Sequence, residues 1–215
     1  MTVAAGRATR VKVCGITRVD QAVACADLGV DALGVNFVAS SPRRVDEELA
    51  RAVVAAVGDR VLVVAVVAGM TVSAMRALAA RTGVGCLQLH GGEAAADVTA
   101  LLPHAYLAVP VASATDVATA EAAPGDYVMV DAKVPGALGG TGRVFDWSLV
   151  VGLAARRKLV LAGGLTPDNV GSAVELVRPW CVDVASGVES APGVKDLGRV
   201  RAFVEAARAS LPLQR

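Results

Sequence analysis

The stretch KLVLAGGLTPDNVGSAVELV, Lys158 to Val177, shows the unit from which we predict the whole fold. A short run of branched apolar residues, typical of a buried strand, passes through two glycines into a segment whose apolar residues have helical spacing. The pair Pro167 and Asp168 is typical of the first positions of a helix, so we expect the helix to begin there. The stretch therefore predicts one strand, one turn and one helix.

The same alternation of strand and helix runs along most of the chain. Strands are predicted at residues 10–14, 31–37, 61–67, 86–90, 105–109, 127–131, 158–162 and 181–185. Helices are predicted between them, for example at 19–29, 46–57, 71–82 and 167–177, and Asp46, Glu47 and Glu48 suit the start of the second. Eight such units in one chain, with no linker between them, predict an α/β fold with a single (β/α)8 barrel, the TIM barrel. An open doubly wound sheet is the alternative, but the GxGxxG expected after its first strand is absent.

Composition narrows the class of protein. With 21 Lys and Arg against 20 Asp and Glu, and no basic stripe with interleaved aromatic residues, no nucleic-acid partner is expected. The longest apolar run, 61–70, is shorter than the roughly 20 residues that cross a bilayer, so no membrane partner is expected. We expect residues 1–9 to form a flexible N-terminal lead and residues 10–215 to form the catalytic barrel. Four scattered cysteines without a secretory signal predict reduced thiols, a cytoplasmic location and no metal site.

In this fold the chemistry lies at the C-terminal ends of the strands. The unusual residues of the sequence fall at these ends: Cys14, Asn36, His90, Asp131, Gly163, Gly164, Ser186 and Gly187. The loops after the seventh and eighth strands form a recurrent phosphate site, and glycines let backbone N–H groups approach a ligand closely. A third cluster, GGTG with Gly140 and Gly142, follows the sixth strand. Because no Walker-type motif is present, we expect a small phosphorylated substrate that is held through its phosphate and not a phosphoryl transfer.

Strand alternation predicts which side chains enter the barrel. Val11 and Val13 suit the side that faces the helices, so Lys12 and Cys14 should point inward, and the same reasoning directs Asp131 and Asp183 inward. A thiol and a carboxyl group at one mouth form a plausible base and acid, provided that their pKa values are shifted.

Six segments in order resemble one family. The segments are KVCGIT, GVNFVASSPRRV, LQLHGGE, VDAKVPGALGGTGRVFDWSLV, LAGGLTPDNV and VDVASGVES. They extend from Lys12 towards Lys195, and together they are similar to the phosphoribosylanthranilate isomerases of tryptophan biosynthesis. The resemblance implies an Amadori rearrangement of N-(5′-phosphoribosyl)anthranilate without cofactor or metal. It also implies a monomer or a homodimer, since the family contains both.

The resemblance also implies roles for individual residues. Asp131 would be the general acid and Cys14 the general base, and Arg43, or Arg44 beside it, would meet the anthranilate carboxylate. GVNF departs from the more apolar variants of this strand in the family, and it places Asn36 where it could hydrogen-bond the ligand. Gly15, which has no Cβ, is expected to leave room for substrate beside the sulfur. The GGTG, GGL and ASG segments match the phosphate loops of the family.

Other roles stay open at this stage. Asp183 either lies near the ligand or pairs with Lys12, and we hypothesise that Lys12 helps to lower the pKa of Cys14. A role in orienting a loop is expected for His90, while Gln88 either contacts ligand or lines the barrel. The remaining cysteines are expected to be structural: Cys25, Cys86 and Cys181.

Two competing functions deserve a test. One is isomerisation of the related aminoaldose of histidine biosynthesis, alone or as a second activity, but that family uses two aspartates where this chain has Cys14 and Asp131. The other is a catalytically silent barrel that only binds a phosphorylated metabolite or a partner protein. The presence of Cys14, Asp131 and Arg43 argues against it.

Overall fold

The frame of the molecule is a closed barrel of eight parallel strands in sequential order. The computed structural model describes residues 9–132 and 145–209. The strands are β1 (Arg10–Cys14), β2 (Ala32–Asn36), β3 (Leu62–Val67), β4 (Cys86–Leu89), β5 (Ala105–Val111), β6 (Tyr127–Ala132), β7 (Lys158–Leu161) and β8 (Cys181–Val184). β8 pairs with β1 and closes the barrel. The predicted (β/α)8 fold is confirmed, and each predicted strand lies within two residues of the observed one.

Helices cover the outside of the barrel. They are α1 (Val19–Asp27), α2 (Glu47–Val57), α3 (Val72–Thr82), α4 (Ala95–Leu101), α5 (Ala114–Ala122), α6 (Val151–Arg156), α7 (Val170–Val177) and α8 (Leu197–Ala209). Asp46 caps α2 as predicted, because its carboxylate accepts from the N–H of Leu49. The predicted start of α7 at Pro167 is wrong. The side chain of Asn169 accepts from the N–H of Thr166 and holds residues 167–169 in a turn, so the helix begins at Val170.

The core has two layers, as the strand alternation requires. Outward residues such as Val11 and Val13 are fully buried between the strands and the helices. A smaller cluster fills the inside of the barrel, with Val64, Tyr106 and Met129 among its members. This inner cluster closes the barrel below its C-terminal mouth, so the mouth is a pocket with a packed floor.

A short antiparallel hairpin follows β8 and was not predicted. Its strands are β9 (Glu189–Ala191) and β10 (Val194–Lys195). The hairpin lies against the end of β1, because Thr17 Oγ1 donates to the carbonyl of Gly193 over 2.6 Å. Lys195 Nζ donates to the carbonyl of Cys14, also over 2.6 Å. The hairpin therefore adds a wall to the mouth beside β1.

Two predictions concern the ends and the surface of the chain. Of the predicted flexible lead, 1–9, the described part of the chain includes only Thr9, whose side chain is buried. Within the described residues, no helix combines the length and the apolar character needed to span a membrane.

Candidate active site

A cavity of about 340 Å³ opens at the C-terminal ends of the strands. It brings together nearly all the predicted site residues: Cys14, Asn36, Arg43, Asp131, Gly163, Gly164, Asp183, Ser186 and Gly187. Gly140 and Gly142 lie outside the described residues. Arg44, the alternative to Arg43, is exposed and does not line the cavity. Residues from five of the strands and the loops that follow them thus converge on one space, as the fold requires.

Cys14 is the last residue of β1 and points into the barrel. Gly34 lies opposite it on β2, and a Cβ added there would stand 2.6 Å from the Cys14 sulfur. Burial raises the pKa of the Cys14 thiol, Lys12 and Lys195 act in the opposite direction, and Asp183 adds to the rise. Lys12 therefore lowers the pKa of Cys14 as hypothesised, but burial raises this pKa by more than the lysine lowers it. The resting form of Cys14 is the thiol.

Lys12 forms a buried ion pair at the floor of the cavity. Its Nζ lies 3.1 Å from both carboxylate oxygens of Asp183 and donates to Gln88 Oε1 over 2.9 Å. Burial lowers the pKa of Lys12, but Asp183 and Cys14 outweigh burial and hold the pKa well above its usual value. Asp183 pairs with Lys12, which was one of the two alternatives, and it also lines the cavity. The pair is neutral as a whole, and within it the ammonium of Lys12 lowers the pKa of the Cys14 thiol while the carboxylate of Asp183 raises it.

Asp131 at the end of β6 has the properties of an acid that works near neutral pH. Burial raises its pKa to about 6, opposed by a hydrogen bond of 2.8 Å from the N–H of Ala132 to Oδ1. The negative charge of Asp183 adds to the rise, and Lys12 lowers it. A carboxyl group with a pKa of about 6 still holds its proton in roughly a tenth of molecules at pH 7.

The imidazole of His90 is held by Gln88 and faces Asp131. Gln88 Oε1 accepts from Lys12 Nζ and from the hydroxyl of Tyr106, so its amide nitrogen donates to His90 Nδ1 over 2.9 Å. Burial lowers the pKa of His90, so the ring is neutral and carries its proton on Nε2. That Nε2 lies 3.7 Å from Asp131 Oδ2. The amide of Gln88 thereby fixes a donor facing the proposed acid.

Arg43 enters the cavity from the loop after β2, and its partner was missed in the sequence. The carboxylate of Glu189 on β9 accepts hydrogen bonds from Arg43 Nε over 2.8 Å and from Arg43 Nη2 over 2.7 Å. Lys195 Nζ donates to the same carboxylate over 2.7 Å. Gly15 lies beneath this arginine, since a Cβ added there would clash with Arg43 Cδ. The space beside Gly15 is filled by Arg43, which corrects the expectation that it is kept for substrate.

Asn36 shapes the loop that carries Arg43. Its Oδ1 accepts from the N–H of Val38 over 2.8 Å, and its backbone carbonyl accepts from the N–H of Val45 over 2.9 Å. The loop is therefore held at both of its ends by one residue at the end of β2. Asn36 therefore positions the loop that carries Arg43, a role that the sequence did not predict beside the expected ligand contact.

The loops after β7 and β8 form one glycine-lined corner of the cavity. Gly163 and Gly164 have φ values of +91° and +67°, which favour glycine. A Cβ on Gly187 would collide with the backbone carbonyl of Leu165, so the two loops touch there. Within residues 9–132 and 145–209, no hydrogen-bond acceptor is found for the backbone N–H groups of Gly163, Gly164, Ser186 and Gly187. Such donors suit an anion.

Comparison with known proteins agrees with this geometry. Residues 11–206 match the family described as N-(5′-phosphoribosyl)anthranilate (PRA) isomerase. An isomerase of that name from Pseudomonas aeruginosa strain LESB58 is 45% identical over 203 residues, which are 94% of this chain and 96% of that protein.

Solved structures of the same kind superpose closely on the chain. Phosphoribosyl anthranilate isomerase from Thermotoga maritima has a TM-score of 0.86 and 35% identity, over 94% of this chain and 99% of the other. A second structure has a TM-score of 0.84 and 32% identity, over 94% and 99% of the two chains. It is a phosphoribosyl anthranilate isomerase bound to reduced 1-(o-carboxyphenylamino)-1-deoxyribulose 5-phosphate. The chain described here belongs to the N-(5′-phosphoribosyl)anthranilate isomerase family.

Proposed function

We propose that this chain converts N-(5′-phosphoribosyl)anthranilate into 1-(2-carboxyphenylamino)-1-deoxyribulose 5-phosphate in tryptophan biosynthesis, with Asp131 as general acid and Cys14 as general base. The observation that carries the proposal is one cavity that holds all the groups the reaction needs. A thiol and a carboxyl group share it with an arginine and a corner of backbone donors. Membership of the family supports the same reaction.

The first step is the opening of the sugar ring. Asp131 gives its proton to the ribose ring oxygen while the nitrogen lone pair forms the C1′=N double bond of a Schiff base. Burial keeps the pKa of Asp131 at about 6, so a protonated fraction is available near neutral pH. His90 Nε2–H faces the carboxylate that remains and can stabilise it.

The second step is removal of the C2′ proton. The thiolate of Cys14 takes this proton, and the C–H electron pair moves towards the protonated nitrogen and gives an enolamine, which tautomerises to the ketone. The thiolate must form from a thiol whose pKa is raised by burial, and Lys12 and Lys195 act against that rise. β1 and β6 are three strands apart around the barrel, so the sugar is expected to lie between the two groups.

The two ends of the substrate are held outside the reacting atoms. The backbone donors after β7 and β8 suit the phosphate, and Arg43 suits the planar anthranilate carboxylate. Asn36 and Asp183 line the same cavity as these anchors. Contacts to both non-reacting ends position C2′ at the thiol, which is how remote binding energy assists the chemical step.

We expect a monomer or a homodimer in the cytoplasm. The location rests on the scattered cysteines, all four of which are free thiols in the described part of the chain. Light scattering of the purified protein would decide between monomer and dimer.

Rescue of auxotrophs tests the proposed function. The chain should restore growth without tryptophan to a strain that lacks this isomerisation, and Asp131→Asn should not. Growth of the matching histidine auxotroph alone would favour the histidine-pathway aminoaldose as substrate. Failure of both strains, together with tight binding of a product analogue in vitro, would favour the catalytically silent barrel.

A further inference from the structure

Glu189 of the β9–β10 hairpin is buried directly against Arg43. Its side chain is only 4% exposed, and that of Arg43 is 13% exposed. Three hydrogen bonds join Arg43 to Glu189: Nε donates to the two carboxylate oxygens over 2.8 and 3.1 Å, and Nη2 donates to one of them over 2.7 Å. This is the side edge of the guanidinium, one of the two edges that can hold a carboxylate with two hydrogen bonds.

The end edge of the same guanidinium is left for another anion. It consists of Nη1 and the second proton of Nη2, and none of the residues described here accepts a hydrogen bond from Nη1. The Arg43 side chain lies across Gly15, where an added Cβ would clash with Arg43 Cδ, so this glycine leaves room for the stem of the arginine. Glu189 holds the orientation of the guanidinium, and Arg43 lines the cavity.

Charge also favours this arrangement. Glu189 is paired with two cations, Arg43 and Lys195, so the three groups retain one net positive charge. Lys195 is completely buried and also donates to the backbone carbonyl of Cys14, which ties the carboxylate to the end of β1. One net positive charge at the edge of the cavity matches one carboxylate of a ligand.

We propose that Glu189 is a positioning residue: it binds the side edge of Arg43 and thereby directs the end edge towards the carboxylate of the substrate. The inference rests on the proposed function, because it assumes that Arg43 receives that carboxylate. A ligand with the carboxylate should depend on Glu189, whereas the same ligand without it should not.

The test compares two ligands by calorimetry. One is reduced 1-(o-carboxyphenylamino)-1-deoxyribulose 5-phosphate, and the other is the same compound made from aniline, without the carboxylate. Wild type should bind the first more tightly. Glu189→Gln should reduce this preference about tenfold and leave the affinity for the aniline compound within about twofold. With substrate, the variant should raise KM about tenfold with little change in kcat.

Matched variants separate positioning from folding. Ser190→Ala, at an exposed neighbour on β9, should behave as wild type. Glu189→Asp keeps the charge but shortens the reach, so it should lose the preference as Glu189→Gln does. In a background of Arg43→Gln, which itself removes the preference, Glu189→Gln should have no further effect on it.

Three results would overturn the inference. An equal loss of affinity for both ligands would show a structural role only. Tighter binding of the carboxylate compound by Glu189→Gln would show that Glu189 competes with the ligand. If wild type binds both compounds equally, Arg43 does not receive the carboxylate and that part of the proposed function fails, whereas a failure confined to Glu189 leaves it standing.

Discussion

Replacing the proposed acid by its amide should stabilise the protein while it abolishes catalysis. Asp131→Asn keeps the shape of the side chain and the hydrogen bond of 2.8 Å that Oδ1 accepts from the N–H of Ala132. Burial raises the pKa of Asp131 from 3.8 to about 6. Each pKa unit corresponds to 1.36 kcal/mol, so holding the charged form in the folded state costs about 3 kcal/mol, as an order of magnitude.

The size of this effect depends on pH in a defined window. Below about pH 4, Asp131 is protonated in both the folded and the unfolded state, so the cost is absent. Between about pH 4 and pH 6 the unfolded chain loses the proton and the folded chain keeps it, so the stability of wild type falls as pH rises. Above about pH 6 the full cost applies. Because asparagine does not titrate, the stability advantage of Asp131→Asn should grow by about 2 kcal/mol from pH 4 to pH 7.

Urea unfolding of both proteins from pH 4 to pH 8 measures this advantage. Asp168→Asn is the matched control, since Asp168 is exposed on the loop after β7. The turnover rate of Asp131→Asn should fall at least about a hundredfold. A stability difference that stays constant across this range would refute the buried, raised-pKa acid.

Further variants test the surroundings of the base and the anchors. Lys12→Met should raise the pKa of the Cys14 thiol, which thiolate absorbance measures, with the same substitution in a Cys14→Ser background as the control. An unchanged pKa of Cys14 would show that the lysine has no such role. Gly15→Ala should displace Arg43 and strain a backbone at φ +80°. We expect the free energy of unfolding in urea to fall by roughly 1–3 kcal/mol and KM to rise. An unchanged free energy and KM would contradict the packing of Arg43 on Gly15. Gly187→Ala should separate the loops after β7 and β8 and weaken inhibition by inorganic phosphate. Inhibition equal to that of wild type would exclude this corner as the anion site.

Local patterns predicted the frame of the molecule well. The strands are short branched apolar runs that are buried on both faces, and such runs can be recognised without their partners. Strand alternation then placed Lys12 and Cys14 inside the barrel correctly. The start of α7 was missed because the side chain of Asn169 caps a turn three residues back, and this competes with the helix signal of Pro167 and Asp168.

The contacts that position the site could not be predicted in the same way. Arg43 and Glu189 are 146 positions apart, and their pairing depends on how the hairpin after β8 folds over β1. The hairpin itself has a signal in Pro192–Gly193, since Gly193 adopts φ +80° in its turn, but its strands are only three and two residues long. Gly15 shows the same limit. Its sequence position indicates that space is needed there, and only the fold shows that Arg43 fills that space.

The turnover of N-(5′-phosphoribosyl)anthranilate by the purified chain, compared with Cys14→Ser and Asp131→Asn, tests the central claim most directly. We predict that wild type converts this substrate without added metal or cofactor, and that each variant is slower by at least about a hundredfold while it still binds the reduced product compound. Undiminished turnover in both variants would contradict the assignment of base and acid, and an inert wild type would contradict the proposed reaction itself.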